Sequence, residues 1–244
     1  MTMRRARRPE LMDRLDADPA ELARSLDDLR AVNRWLGGRR LPVRLVMEMA
    51  ERLSPGPIRV LDVGTGSADI PLALVDAARG KGLPITITGL ELHPETVTVA
   101  TLAAADHSEV EIVQGDAVDL PFADAQFDIA MTNTTLHHFD PEQVCRILAE
   151  MDRVSRWGVV ATDLARSIPA YLGARFLAIT VWHGHPITRH DGPWSVRAAF
   201  TPSEIREFAA AALSGPFQVR SHPVFRLSLV MDRTLVAGRT PTVG

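Results

Sequence analysis

The chain of 244 residues contains a single cysteine, Cys145. One thiol excludes an intramolecular disulfide framework and a cysteine-based zinc pattern. Cys145 stands beside Ile147 and Leu148 in a helical stretch, which reads as a small buried hydrophobe rather than a nucleophile. Aromatic residues are scarce at 5%, and alanine, leucine and arginine dominate instead, which favours helices on many surfaces. Formal net charge is only −3, so no global field invites nucleic acid or an anionic membrane. No run approaches the roughly 18 apolar residues of a membrane span. The N-terminal arginines have no apolar core behind them, so no secretory signal is read and a cytoplasmic location is expected. The basic cluster "MRRARRP" (Met3 to Pro9) is followed at once by the acids of "DRLDADPAE", and is expected to be a solvated, frayed terminus.

What is present suits one large α/β domain: 46% hydrophobic and 23% charged residues allow a sizeable core. Residues 1–54 read as helical and as a lid or extra layer. Asp18 is the expected cap of the first helix, with Pro19 and Glu21 behind it, and Gly37-Gly38 its stop. A second helix is expected to start near Pro42. Residues 55–244 then alternate. "IRVLDVG", "ITITGLEL", "VEIVQGD", "FDIAMTN" and "WGVVATDL" read as buried strands with helices between them. Continuous apolar strands argue for a parallel sheet covered on both faces. The rhythm breaks over about residues 165–200 and resumes at "TPSEIREFAAAAL", a capping box on Thr201 and Glu204. Two last apolar runs, "FQVRSH" and "FRLSLVMD", read as an antiparallel pair at the sheet edge.

The stretch "DVGTGSAD" lies at the end of the first strand. Gly64 and Gly66 permit a tight turn and close backbone approach to a ligand. A dinucleotide site adds a third glycine and aims a bare helix N-terminus at a pyrophosphate. Here Ala68 stands at that position and Asp69 follows. Asp62 and Asp69 would repel a pyrophosphate and attract a ligand carrying an amine and a sulfonium, although helix capping explains Asp69 equally well. The next strand ends offer suitable groups in order. Glu91 is placed to grip ribose hydroxyls, Asp116 to accept an adenine amine with Ala117 beside the ring, and "NTTLHHF" follows the fourth strand.

Taken together, "VLDVGTGSADI", "GLELHPE", "GDAVDLPFADAQFD" and "TTLHHFDPE" resemble the class I S-adenosylmethionine-dependent methyltransferases, over roughly Ile58 to Leu164. The segment after the third strand resembles the subgroup of ubiquinone and menaquinone methyltransferases and bacterial secondary-metabolite O-methyltransferases. The resemblance implies a Rossmann-like doubly wound seven-stranded sheet with an antiparallel last strand. It implies S-adenosylmethionine as cofactor and S-adenosylhomocysteine as product. Asp62, Gly64, Thr65 and Gly66 match the methionine-binding motif, Glu91 and Leu92 the ribose end, and Asp116 and Ala117 the adenine contacts. Asn133 and Thr134 match the loop near the methyl group.

Methyl transfer to oxygen requires positioning and removal of a proton, which suits histidine. His138, with His137 beside it, and His190, oriented by Asp191, are the candidate bases. Arg189, Asp191, Trp194, His137 and Trp35 are candidate acceptor contacts, with Asn33 and Arg34 beside Trp35 on a lid helix, and Trp182 and Phe176 as possible walls for a flat ring. Asp191-Gly192-Pro193 also reads as a plain turn. The spacing of His183, His185, His190 and Asp191 matches no common zinc pattern, so no metal is expected. The expected activity is methyl transfer to a small-molecule acceptor, a phenolic, quinone-like or polyketide hydroxyl, by a monomer or homodimer. Methylation of an activated ring carbon and an idle cofactor-binding partner subunit are the alternatives. A nicotinamide oxidoreductase is disfavoured by Ala68 and Asp69.

Overall fold

Strands that are apolar on both faces need cover above and below, and the chain supplies it. The computed structural model describes residues 3–7, 10–13, 18–35, 37–53 and 56–235, apart from the side chains of Pro19 and Trp35. Strands β1 (Ile58–Val63), β2 (Ile85–Glu91), β3 (Val110–Gln114), β4 (Phe127–Asn133), β5 (Ser155–Leu164), β6 (Phe217–His222) and β7 (Arg226–Asp232) form one sheet. Their order is β3-β2-β1-β4-β5-β7-β6. Strands β1 to β5 pair in parallel, while β7 runs antiparallel to both β5 and β6. The expected Rossmann-like doubly wound sheet is the fold observed.

The helices are α1 (Pro19–Trp35), α2 (Arg40–Leu53), α3 (Asp69–Arg79), α4 (Pro94–Ala104), α5 (Pro141–Val154), α6 (Ile168–Thr180), α7 (Pro186–Ala198) and α8 (Pro202–Ala212). Alternate strand residues face opposite layers. Val60, Ile129, Met131 and Val160 pack on Met49 of α2 and Leu74 of α3. Leu61, Ala130 and Val159 pack on Leu148 of α5 and Ile205 of α8. The expected caps are formed. Asp18 Oδ1 accepts from Ala20 N at 2.9 Å and Glu21 N at 3.0 Å. Thr201 N donates to Glu204 Oε2 at 2.7 Å, closing the capping box of α8.

Several expectations are corrected. Cys145 is half-buried in α5 rather than a core residue. The break at about 165–200 is an α6–α7 hairpin, and Asp191-Gly192-Pro193 is no turn: all three lie within α7. The side chain of Trp35 lies outside the described residues, as does residue 54, where the first unit was expected to end.

Close packing of β5 on β7 depends on Gly158, where an added Cβ would collide with the Met231 carbonyl oxygen and press on the Met49 side chain. Backbone cannot yield as a flexible side chain can, so Gly158→Ala is expected to destabilise the fold by about 1–3 kcal/mol. A melting temperature lowered by roughly 2–10 °C would register it.

Candidate active site

In an open parallel sheet the carboxyl ends of the strands line a crevice where the strand order reverses. Here the reversal lies between β1 and β4, and a cavity of about 780 Å³ occupies it. Its floor is the loops after β1 to β4, and its roof is α1, α6, α7 and the turn Val224–Arg226. All ten residues expected at the cofactor end are close to one another here. Asp62, Gly64, Thr65, Gly66, Glu91, Leu92, Asp116, Ala117, Asn133 and Thr134 all line this cavity.

The glycine loop is left-handed at Gly64 (φ 72°) and Gly66 (φ 56°), which an L side chain resists. Ala68, at the site of the missing third glycine, keeps that conformation too (φ 62°, ψ 18°) and is fully buried. The turn is tied down on every side. Gly64 N and Thr65 N donate to Leu90 O at 2.9 and 3.0 Å. Thr65 Oγ1 donates to the buried Asp62 at 2.8 Å. Glu91 accepts from Gly66 N at 3.0 Å, Leu92 N at 2.9 Å and His93 N at 3.1 Å. From above, α1 grips the same loop. Arg30 donates to Ser67 Oγ at 2.9 Å, and Asn33 Nδ2 to Asp69 Oδ2 at 3.1 Å. Asp69 therefore ties α1 to the loop. Burial pushes its pKa up, against the pull of Asn33 and the nearby Arg30 and Arg39.

The loop after β4 carries backbone strain: Thr134 has φ 53°, unfavourable for a β-branched residue. It is held by Thr134 N donating to Thr162 O at 2.8 Å, Thr162 Oγ1 to Asn133 Oδ1 at 2.8 Å and Asn133 Nδ2 to Thr134 Oγ1 at 2.9 Å. The loop turns His137 and His138 toward the cavity in a short 3-10 helix, their rings stacked with centroids 4.3 Å apart. His137 Nδ1 lies 2.7 Å from Asp163, an acid buried at the end of β5, and His138 Nδ1 lies 2.8 Å from Asp13. His137 Nε2 is 3.5 Å from Glu10 Oε1. Burial pulls the His137 pKa down, but Asp163 and Glu10 outweigh it and push it up to about 10. His138 is likewise raised: burial and His137 are overcome by Glu10 and Asp13. In the free chain His137 therefore holds its proton at neutral pH, so it is no resting general base.

Glu10 and Asp13 belong to an N-terminal strap whose first part, the basic cluster Met3 to Pro9, was expected to be frayed. It is docked instead. Arg5 donates to Ala198 O at 2.6 Å, Phe139 O at 2.8 Å and His137 O at 3.1 Å, and its guanidinium stacks 3.9 Å from the Phe200 ring centroid. Asp191 accepts from Leu11 N and Met12 N, each at 3.0 Å. Its carboxylate thus fastens the strap, and it lines the cavity beside Trp182.

His190, Arg189 and Trp194 are not among the residues that line the cavity. His190 has a half-exposed side chain, bonded at Nδ1 to Asp191 at 2.7 Å and stacked on Trp194. The α7 residues that line the cavity are Thr188, Asp191, Gly192, Ser195 and Val196, and His190 falls on the other face of the helix. The base role expected of His190 and the acceptor contacts expected of Arg189 and Trp194 are corrected on this ground. His185 belongs to a third partner, Asp28 of α1, at 2.6 Å, so the four residues 183, 185, 190 and 191 form no cluster. Phe176 does line the cavity, as expected for an apolar wall.

Four residues that meet the cavity or its histidines went unread in the sequence. They are Glu10, Asp13, Asp163 and Arg226. Arg226 opens β7, is 4% exposed, and its Nε and Nη1 have no hydrogen-bond partner among the described residues. Asp163 carried a signal, as an acid inside the apolar run "WGVVATDL". A buried, unsatisfied guanidinium fits a carboxylate, and the acids of the floor fit cationic and hydroxyl groups. The donor set therefore suits an amino-acid-bearing nucleoside.

Residues 61–161 match the family model described as methyltransferase domain. This segment is similar to methyltransferase domains. The demethylmenaquinone methyltransferase of Bacillus licheniformis is 32% identical over 123 residues, 50% of this chain and 51% of that protein. That of Staphylococcus carnosus is 35% identical over 111 residues, 46% and 44% of the two chains. The chain thus spans about half the length of the curated relatives it matches. The whole fold is similar to a crystal structure of a SAM-dependent methyltransferase from Aquifex aeolicus, with TM-score 0.62, 17% identity and coverage of 88% and 97%. It is also similar to PigF with SAH, with TM-score 0.59, 17% identity and coverage of 91% and 62%.

Burial raises the Asp62 pKa to about 7, with Asp69 and Glu91 adding to the rise and the Thr65 hydrogen bond opposing it. The folded state therefore holds a proton on Asp62 that the unfolded chain sheds near pH 4, and its stabilising share is lost as pH rises toward 7. Between pH 5.5 and 8 the ligand-free protein should lose about 2 kcal/mol relative to Asp62→Asn. Urea unfolding of both proteins at the two pH values measures it, and a flat difference would refute the buried-acid assignment.

Proposed function

We propose that this protein transfers a methyl group from S-adenosylmethionine to a hydroxyl of a small phenolic, quinone-like or polyketide acceptor in bacterial secondary metabolism. The observation that carries this reading is the continuity of one cavity from the strand-end acids to the histidine wall. Asp62, Thr65 and the left-handed loop at Gly64–Gly66 would hold the methionine part, Glu91 and Leu92 the ribose, and Asp116 and Ala117 the adenine. Arg226 would pair with the carboxylate. Bound there, S-adenosylmethionine would supply a methyl on cationic sulfur; the acceptor oxygen's electron pair would form the new bond as the carbon–sulfur pair returned to sulfur and the hydroxyl proton left to water.

The remaining residues act on the acceptor. Asn133 and Thr134 set the edge of the cofactor end, and their strained loop aims His137 and His138 at the space beyond it. Apolar groups of the roof, Leu29, Phe176, Leu177 and Trp182 among them, would exclude water and sandwich a flat ring. Packing of α1 and α7 through Asp28, His185 and Thr188 keeps that roof in one piece.

Calorimetry with S-adenosylhomocysteine tests the cofactor end. Wild-type protein should bind it, and Glu91→Ala and Arg226→Met should each weaken binding by at least tenfold, about 1.4 kcal/mol. No binding by the wild type would overturn the reading. Turnover of a panel of phenols and hydroquinones, with product carbon shifts read by NMR, tests the acceptor. A methyl ether is expected; a ring-carbon methyl would replace the oxygen assignment, and tight binding without turnover would favour a partner subunit.

A further inference from the structure

Glu10, His137 and His138 each present one ligand atom, and the three atoms lie within 4.8 Å of one another. We infer that they form a binding site for a divalent transition-metal ion, set in the wall of the cavity where the acceptor hydroxyl would lie. Glu10 Oε1, His137 Nε2 and the His138 imidazole are the proposed ligands. This deepens the role proposed for the site and rests on that reading only for what the ion would do.

Four observations carry it. Glu10 is 3% exposed and its Oε1 has no hydrogen-bond partner among the described residues. Its closest charged partner is His137, and a buried carboxylate oxygen without a hydrogen bond is costly, by about 1–3 kcal/mol or more; chains retain such atoms where something else satisfies them. The 3.5 Å from that oxygen to His137 Nε2 is too long for a hydrogen bond. It is close to the ligand–ligand edge of about 3.0–3.4 Å expected around an ion with bonds near 2.0–2.1 Å.

The second observation concerns the outer contacts. Each imidazole has its Nδ1 bonded to a carboxylate, His137 to Asp163 at 2.7 Å and His138 to Asp13 at 2.8 Å. This arrangement orients metal-binding histidines, directs the lone pair to Nε2 and makes it more basic. Asp163 is in turn held by the backbone N–H groups of Leu164 at 2.7 Å and His137 at 3.1 Å. Thirdly, three carboxylates surround two imidazoles, a surplus of negative charge that favours a cation.

Finally, the ligands are fixed in place from both sides. Arg5 binds the carbonyl oxygens of His137 and Phe139, so the histidine turn and the strap are one unit. Asp191 holds Leu11 N and Met12 N immediately after Glu10. A site held within a few tenths of an ångström needs this kind of support. Only long-range contacts bring the carboxylate to the histidines, so no spacing in the sequence marks this cluster.

Two imidazoles with one carboxylate suit manganese, iron, cobalt, nickel or zinc rather than magnesium or calcium, and three protein ligands leave at least one position open. That position faces the cavity. An acceptor hydroxyl seated there would lose its proton to water more readily, so no histidine need act as its base.

The test uses tag-free protein stripped with a chelator and titrated with Co2+ followed by visible absorption, and with Zn2+ followed by calorimetry. One equivalent of each should bind, with d–d bands for Co2+. Glu10→Gln should weaken binding at least tenfold, and Asp13→Asn by about 10–100-fold. S-adenosylhomocysteine affinity serves as the check that each variant is folded. The inference is overturned if neither ion saturates the wild type, or if wild type, Glu10→Gln and Asp13→Asn bind alike. Ion binding that depends on Glu10, seen together with no turnover of any phenol, would sustain the metal site and sink the acceptor assignment; the converse would do the opposite.

Discussion

Reversal of strand order between β1 and β4 is the constraint on which the rest of this molecule depends. Parallel strands leaving the sheet in opposite directions cannot have their crossover helices fill the space above that junction. The crevice left there collects the carboxyl ends of four strands, and with them Asp62, Glu91, Asp116 and Asn133. The apolar core below serves to hold these ends in register, Asp62 opposite Gly89 and Met131. The α1 helix and the α6–α7 hairpin then close what the sheet leaves open.

Closing it has an electrostatic cost that shapes the sequence. Asp62, Asp69 and Glu91 converge on one loop, and burial makes each added charge harder to hold. The chain answers with oriented donors rather than with cations in contact: backbone N–H groups on Glu91, a threonine hydroxyl on Asp62 and an asparagine amide on Asp69. Such donors leave room for a positively charged ligand. They also hold Ala68 in its left-handed conformation, as the bonds of Thr162 and Asn133 hold Thr134 in the loop after β4.

Much of this was legible in the sequence, and the boundary of legibility is physical. Strand ends and helix caps are local, so "DVGTGSAD", Glu91, Asp116 and the capping boxes could be placed from spacing and residue type alone. The hairpin over the site was not. "HDGP" is a strong turn signal, yet α7 runs through it, with Asp191 committed to the strap and Ser195 Oγ donating to Asp191 O at 2.9 Å. Tertiary packing overrode local propensity there. Glu10 and Asp13 had no signal at all, because their partners lie more than a hundred residues away and no periodicity links them. Asp163 announced itself as an acid in an apolar strand, but nothing said that its partner would be His137.

Docking of the strap also bears on how the molecule folds. Arg5 closes loops of 132, 134 and 193 residues through bonds to His137, Phe139 and Ala198. Contacts so distant in sequence must await the elements they join, whereas helices and adjacent strands form early. The strap can therefore seat only after α7 has packed over the sheet. The histidine wall thus has Asp163 from the sheet itself, while Glu10 and Asp13 reach it only through contacts that depend on a packed α7.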